Sequence, residues 1–380
     1  MLLKPGHLVL LLTLFILVNG CIAQFIPEVG EDQNLLVVDG IITDQPGQNS
    51  IKLSVSTPLG GKSGAKPLSA CIVTVSDDFG NSFKFGEAVS EAGTYYPDAS
   101  FCASVGHSYT LNIHTGESRQ KLSYQSLPIT MKSVPPIDSV YWEKQVLSVD
   151  SQGWPTSEGC QIYLNTHDPT NSCKFYRWEF TETWDFYIPY YVPNNHCWIT
   201  ENSDKIIIKN ASSFSDDRIV RQPLNIVSNA TDRLKEKYSL LVKQYSVSEE
   251  EYSYWEKLQN VIQHVGSLYD LTPASIPSNI SCIENPGEKV LGYFSVSAVQ
   301  TKRIFINDYF RGIINLYSDC EHKAIGGNEV PPNLGVLVWI IIDRSDPPPG
   351  YKILTFLKGC YDCTVRGTNT EPSFWNEGKK

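Results

Sequence analysis

The chain has 380 residues, a formal net charge of −10 and an isoelectric point near 5.2. Its length allows two ordinary domains with separate cores, and its acidic balance lacks the basic patch expected of a nucleic-acid-binding protein. Aromatic residues make up 11% of the chain and, together with Thr, Val and Ile, they favour β-strands over helices.

The N-terminus has the pattern of a lipoprotein signal peptide over residues 1–20. Lys4 supplies a positive charge, and residues 8–18 are apolar apart from Thr13, a stretch too short to span a membrane. Val18-Asn19-Gly20-Cys21 matches a lipobox, in which the cysteine is lipidated and becomes the new N-terminus. Cys21 is therefore the predicted lipidation site and membrane anchor. The alternative is an ordinary signal peptide followed by a chance cysteine.

A predicted tether over residues 21–34 leads into a series of short strands. The tether is polar and contains Pro27 and Gly30. Strand candidates then recur at a spacing of about ten residues, from residues 35–42 to residues 108–113, with Gly, Asn and Asp in the turns between them. Residues 35–133 are therefore predicted to form an antiparallel β-sandwich domain.

Paired prolines mark the predicted boundary to a second domain, residues 134–380. Pro135 and Pro136 continue neither a sheet nor a helix, and they stiffen the connection. Further strand candidates follow at residues 175–180, 205–209, 238–245, 291–299, 303–307 and 334–342. One helix interrupts them, because Ser248 and Glu251 form a capping box. An apolar stripe follows that box, formed by Tyr252, Trp255, Leu258, Ile262 and Val265. This pattern predicts a larger β-rich domain with one inserted amphipathic helix.

Nine cysteines remain if Cys21 carries lipid. In an exported protein most of them should pair, and an odd number leaves at least one thiol free. Spacing does not fix the connectivity. The candidate pairs are Cys71 with Cys102, and Cys360 with Cys363 or with an earlier partner.

No catalytic motif, metal site or cofactor site is predicted. The sequence has no His-Glu-x-x-His pattern, no phosphate-binding glycine loop and no Gly-x-Ser-x-Gly elbow. Cys360 and Cys363 have redox-motif spacing, and with Cys320 and His322 they offer four zinc ligands; the export route favours disulfides instead. His167 beside Asp168 is explained by a polar turn.

The most aromatic segment is the candidate recognition loop. Its candidate residues are Trp184, Phe186, Tyr187, Tyr190, Tyr191 and Trp198. Pro189 and Pro193 break the segment, and exposed aromatic rings on such a loop stack on sugars or anchor a protein partner. The alternative is that these rings cover the core of the second domain.

Several sequence blocks occur together in a fixed order. They are LVVDGIITD at 36–44, VGHSYTLNI at 105–113, PPIDSV at 135–140, YRWE at 176–179, YSLLVKQY at 238–245, VLGYF at 290–294, CYDC at 360–363 and PSFW at 372–375. In this order the blocks resemble the Bacteroidota lipoproteins described as domain of unknown function 4249. The resemblance implies a first domain similar to small sandwiches of the carboxypeptidase-regulatory or immunoglobulin-like type. It also implies an outer-membrane lipoprotein that works beside a TonB-dependent β-barrel receptor, because such receptors are typically encoded next to members of the family.

The sequence thus leads to the expectation of a non-catalytic lipoprotein of the outer membrane, facing the cell surface. It would act as an accessory subunit of an outer-membrane β-barrel, in substrate capture or complex assembly. One alternative is a free-standing surface protein that binds a glycan or a peptide. A hydrolase with an unrecognised site is the other alternative.

Overall fold

The computed structural model describes residues 34–57, 64–116, 121–189, 194–214, 216–264, 276–318, 320, 323–325, 338–341, 352–355 and 358–377. These residues form a mainly β structure with a single α-helix, as the sequence predicts. The signal peptide, Cys21, Tyr190 and Tyr191 lie outside the described residues. No helix in the described ranges is long and apolar enough to cross a membrane.

The first nine strands precede the proline pair. They are β1 Leu36–Thr43, β2 Ser50–Val55, β3 Lys66–Pro67, β4 Ile72–Asp77, β5 Ser82–Glu87, β6 Thr94–Tyr96, β7 Ser108–His114, β8 Ser123–Ser126 and β9 Ile129–Thr130.

Thirteen further strands and the helix follow the proline pair in the described residues. They are β10 Ile137–Val149, β11 Pro155–His167, β12 Phe175–Tyr187, β13 His196–Asn202, β14 Ile207–Asn210, β15 Arg218–Val227, β16 Tyr238–Ser246, α1 Glu249–His264, β17 Ile280–Cys282, β18 Val290–Ser297, β19 Val299–Ile306, β20 Lys323–Ile325, β21 Val338–Ile341 and β22 Lys352–Thr355.

An eleven-stranded sheet surrounds the first core. Its main path is β17-β8-β7-β4-β5-β6-β2-β1-β18, with β3 on β2 and β9 on β7. Side chains alternate between inside and outside along each strand, so that Leu36 and Val38 of β1 face the core together with Leu53 of β2. The two ends of the path lie close together, which makes the sheet nearly closed; the sandwich arrangement itself stays a prediction.

Two strands of this sheet come from the segment that the sequence assigned to the second domain. β17 pairs with β8, and β18 runs parallel to β1. Phe294 and Val296 of β18 are fully or almost fully buried in the first core. A division of the chain at residue 134 into two consecutive units therefore does not describe the packing, because β1 and β8 are completed by strands more than 150 residues further along.

Close backbone contact explains one glycine in β18. Gly292 pairs with Val38 and has a φ of +87°. A Cβ atom at Gly292 would lie 1.9 Å from the carbonyl oxygen of Val38, so no other residue fits without moving β1.

The second core lies between two further sheets. One has the order β10-β11-β15; the other has the order β13-β12-β16-β19, with β14 on β12. Trp178 of β12 is fully buried there and donates to the Gln244 side chain of β16 (2.8 Å). A third small sheet, β20-β22-β21, contains part of the predicted 334–342 strand.

The helix begins where the capping box places it, but its buried face differs from the predicted stripe. Ser248 Oγ accepts from the Glu251 backbone N–H (3.1 Å), as an N-cap does. Among the described side chains of α1, Glu251 and Tyr254 are buried, whereas Ile262 is 59% exposed. The inward face is thus partly polar, because α1 packs against charged residues of the neighbouring sheets.

Candidate functional site

Most of the predicted recognition loop is interior structure. Trp184, Phe186 and Trp198 are 3%, 1% and 5% exposed, because they lie on paired strands β12 and β13. Only Tyr187 among the described candidates is substantially exposed, and it stacks on His196 at a centroid distance of 4.0 Å. The prediction of an exposed loop is therefore wrong for Trp184, Phe186 and Trp198. They cover the core, as the alternative interpretation stated.

Trp184 nevertheless lines an open cavity of about 320 Å³. The strand register creates this site, because Trp184 is opposite Ile199 and Glu182 is opposite Glu201 in the β12–β13 ladder. In a strand, residues two apart share a face, so these four side chains lie on one face of the sheet. The complete described lining is Trp184, Ile199, Glu201, Ala230, Thr231, Asp232, Arg233, Leu316 and Arg366.

Arg233 lies over this four-residue face. Its guanidinium is 4.8 Å from the centre of the Trp184 ring, and its Nη2 is 2.5 Å from Glu201 Oε2. Its Nε is 3.8 Å from Glu182 Oε1, too far for a hydrogen bond. Burial alone would lower the pKa of Arg233, but Glu182 and Glu201 raise it above its ordinary value. The guanidinium therefore stays charged and separates two facing carboxylates that would otherwise repel.

Glu182 is held by a buried network beneath Arg233. It accepts from the Tyr238 hydroxyl (2.6 Å) and from the Asn225 side chain (3.0 Å). Burial, and then the charge of Glu182, raise the pKa of Tyr238 well above its ordinary value, so that the phenol remains a donor. Lys205 in turn donates to Asn225 (2.7 Å). These contacts fix the floor of the site before any ligand arrives.

The opposite wall is formed by Arg366 from the C-terminal segment. Arg366 forms a two-point ion pair with Asp232 (2.9 and 3.1 Å) and donates to the Tyr317 hydroxyl (2.9 Å). Its guanidinium lies 4.6 Å from the centre of the Phe186 ring, which explains how a predicted recognition residue contributes from the interior. Burial alone would lower the pKa of Arg366, but Asp232 raises it.

Two disulfides hold this C-terminal segment in place. Cys197 is bonded to Cys363, and Cys320 is bonded to Cys360. The prediction of a Cys360–Cys363 disulfide is therefore wrong. The alternative prediction, in which Cys360 bonds to an earlier cysteine, agrees with the structure. Since Cys320, Cys360 and Cys363 are oxidised, the sequence's possible zinc set does not form either. Sequence separations of 166 and 40 residues explain why spacing could not reveal these bonds.

The structure also does not form the predicted Cys71–Cys102 bond. The Cys71 thiol donates to the carbonyl oxygen of Ser69 (3.9 Å), and Cys102 is an exposed cysteine outside any disulfide. Cys160, Cys173 and Cys282 are buried thiols. Within the described ranges, no group of three or more His, Cys, Asp or Glu residues could hold a metal ion.

A larger cavity of about 530 Å³ lies between the first sheet and the start of α1. Its polar side chains are those of Thr130, Lys132, Ser248, Glu250, Ser278, Asn279 and Tyr293. None of the described lining residues has a buried polar atom without a hydrogen-bond partner. We therefore take the smaller cavity at Trp184 as the candidate binding site, since its lining does contain such atoms.

Several of the ordered sequence blocks meet under α1. Arg177 lies between the rings of Tyr245 (4.6 Å) and Trp255 (4.7 Å) and contacts Glu179 (2.5 Å). Glu251, fully buried, accepts from Trp255 (3.1 Å) and from Ser295 of β18 (2.7 Å). This cluster joins the helix to both large sheets, so we assign it a structural role.

Comparison with known proteins identifies a family. No curated protein matches the chain. Residues 22–303 match the model of a domain of unknown function, DUF4249, which covers well over half of the chain. The chain therefore belongs to the DUF4249 family.

Proposed function

We propose that this protein is a non-catalytic outer-membrane lipoprotein that captures a ligand for an outer-membrane β-barrel partner of the TonB-dependent type. Cys21 is its membrane anchor, and the described domains face the cell surface. The cavity at Trp184 is its ligand site.

The observation that carries a binding role is the composition of that cavity. Its polar groups are fixed by the network of Glu182 and by the ion pair of Arg366 with Asp232. Among the described lining residues there is no histidine and no cysteine, and the two lining carboxylates are each paired with an arginine. Such an arrangement offers preorganised hydrogen bonds and apolar contact, which is the chemistry of recognition.

Support for the lipoprotein and barrel parts comes from the sequence. The family match begins at residue 22, directly after Cys21, as expected if the mature chain starts at the lipidated cysteine. The resemblance to lipoproteins encoded beside TonB-dependent receptors supplies the barrel partner.

A detergent pull-down from native membranes tests the proposal. The full-length protein carries a C-terminal tag, and its partners are identified by mass spectrometry. We expect a stoichiometric outer-membrane barrel, together with palmitate labelling of the protein. Cys21→Ser is the matched variant, and it should lose both the label and the membrane fraction. Recovery of wild-type lipoprotein alone would instead support the free-standing binding protein.

A further inference from the structure

Three buried polar atoms without a partner belong to side chains of the same cavity. They are Trp184 Nε1, Thr231 Oγ1 and Arg233 Nε, none of which has a hydrogen-bond partner in the described part of the chain. A buried donor without an acceptor costs about 1–3 kcal/mol, so such atoms are uncommon. Three of the nine such atoms in the described residues belong to this one open cavity, which indicates that a ligand supplies the missing acceptors.

The charges of the residues that line the cavity indicate which kind of ligand supplies the acceptors. Glu201 and Asp232 carry two negative charges, and Arg233 and Arg366 carry two positive charges, so that the lining is neutral. An anionic ligand would meet as many carboxylates as guanidiniums. Hydroxyl groups, by contrast, both donate and accept, and they bond well to ionised partners.

A second cavity of about 480 Å³ continues from the first. It shares Glu201 and Arg233 with the Trp184 cavity, so that this ion pair forms their common wall. Its described lining is Phe180, Glu182, Glu201, Asn202, Ser203, Asp204, Lys205, Asn225, Ile226 and Arg233, of which eight are polar. A ligand that fills both cavities is an elongated molecule with polar groups along its length.

We infer that the two cavities bind a neutral oligosaccharide, with consecutive sugar units on either side of the Arg233–Glu201 pair. Trp184 Nε1 and Thr231 Oγ1 bond to hydroxyl oxygens of the unit in the first cavity. Ile199 and Leu316 contact its apolar face. The inference rests on the proposed capture role and names its substrate class.

Calorimetric titration of the detergent-solubilised full-length protein tests this inference. The probes are maltohexaose, cellohexaose, xylohexaose and laminarihexaose, with oligogalacturonate as the acidic comparison. We expect at least one neutral probe to bind, and to bind more tightly than oligogalacturonate. Trp184→Phe keeps an aromatic ring and removes the N–H, so it should weaken that binding about tenfold, the value of one hydrogen bond.

Trp198→Phe is the matched control. Trp198 is also buried with an unpartnered Nε1, but it lies on the other face of β13 and outside both cavities. It should leave affinity unchanged, and thermal unfolding of both variants checks that each is folded. Binding of no neutral probe, tighter binding of oligogalacturonate, or equal loss in both variants would overturn the inference. If the pull-down recovers a barrel but no sugar binds, the accessory role is still supported and only the sugar inference fails. If sugar binds but no barrel is recovered, only the accessory role fails.

Discussion

The side-chain amide of Asn279 pairs with the backbone of Phe294 as a neighbouring strand would. Its Nδ2 donates to the Phe294 carbonyl oxygen (2.9 Å), and its Oδ1 accepts from the Phe294 N–H (3.0 Å). Asn279 directly precedes β17, and Phe294 lies in β18, so this pair joins the two ends of the eleven-stranded path. One amide thereby satisfies two backbone groups of a residue that is fully buried.

Asn279→Ala should weaken the first core. Loss of the amide leaves the buried N–H and C=O of Phe294 without partners, which predicts a loss of about 1–3 kcal/mol in unfolding free energy. Urea unfolding measures it. Asn112→Ala is the control. The half-buried Asn112 amide donates to Ser76 and Thr110 (3.3 and 3.5 Å) and accepts from the exposed Gln125 side chain (2.8 Å), so that its loss leaves no fully buried residue's backbone without a partner. Equal losses in the two variants would contradict a closing role for Asn279.

Asp168→Asn should destabilise the protein in a pH-dependent way. Burial alone would raise the pKa of Asp168, but hydrogen bonds from Cys173, Thr170 and Ser172 hold it below its ordinary value of 3.8. A carboxylate whose pKa is lowered by folding contributes stability above its unfolded pKa and loses it as the pH falls through the folded pKa.

The expected loss for Asp168→Asn is therefore about 1–3 kcal/mol at pH 7. It should shrink as the pH falls below about 4. Thermal unfolding across pH measures both. Asp216→Asn removes a carboxylate that is 79% exposed, and it should change little. A difference between wild type and Asp168→Asn that stays constant to pH 2 would refute the assignment.

Cysteine reactivity should follow the structure rather than the spacing of the sequence. Iodoacetamide should modify exposed Cys102 in the native protein before the buried thiols. Burial raises the pKa of the Cys160 thiol to about 12 and that of Cys173 to about 11, which keeps them unreactive until unfolding. Non-reducing peptide mapping should recover Cys197–Cys363 and Cys320–Cys360 cross-links. A Cys71–Cys102 or Cys360–Cys363 cross-link would show that the structure has the wrong pairing.

Arg177→Met should be among the most destabilising substitutions. Burial raises the pKa of Glu251, and the charge of Arg177 opposes that rise. Removing the cation leaves the buried Glu251 carboxylate and the partly exposed Glu179 carboxylate without it, at a cost of about 3–5 kcal/mol. Adding Glu251→Gln should recover part of the loss in a double-mutant cycle. Exposed Arg218→Met should cost little, and strictly additive Arg177 and Glu251 effects would argue against coupling.

Local patterns in the sequence were sufficient to predict which segments form strands and which forms the helix. Apolar, β-branched residues predict strand β1. Alternating apolar residues predict β2, because successive side chains of an extended chain face opposite sides. Ser248 marks the start of the helix because its hydroxyl satisfies a free N–H of the first turn. Asp168 is identified as a turn residue for a similar reason, since its carboxylate accepts from backbone groups two to five residues away. All these interactions join residues close in sequence.

The candidate site depends on contacts that local patterns do not encode. Trp184 and Glu201 share a face only because of the β12–β13 register, and Arg233 reaches them from a loop. Disulfides hold the segment that contains Arg366 beside the site, and one of them joins cysteines 166 residues apart. The aromatic character of residues 184–198 did indicate the region, but not that its rings would be buried.

The sequence by itself determined a mainly β chain with one capped helix and membership of an ordered family pattern, whereas the lipobox at Cys21 stays a prediction. Tertiary structure alone decided that β17 and β18 complete the first sheet, which cysteines pair, and which polar atoms surround the cavity. The physical reason is the distance along the sequence over which each kind of interaction acts. Propensity, capping and alternation act over a few residues, whereas sheet closure, disulfide pairing and burial of charge depend on segments brought together from distant parts of the chain.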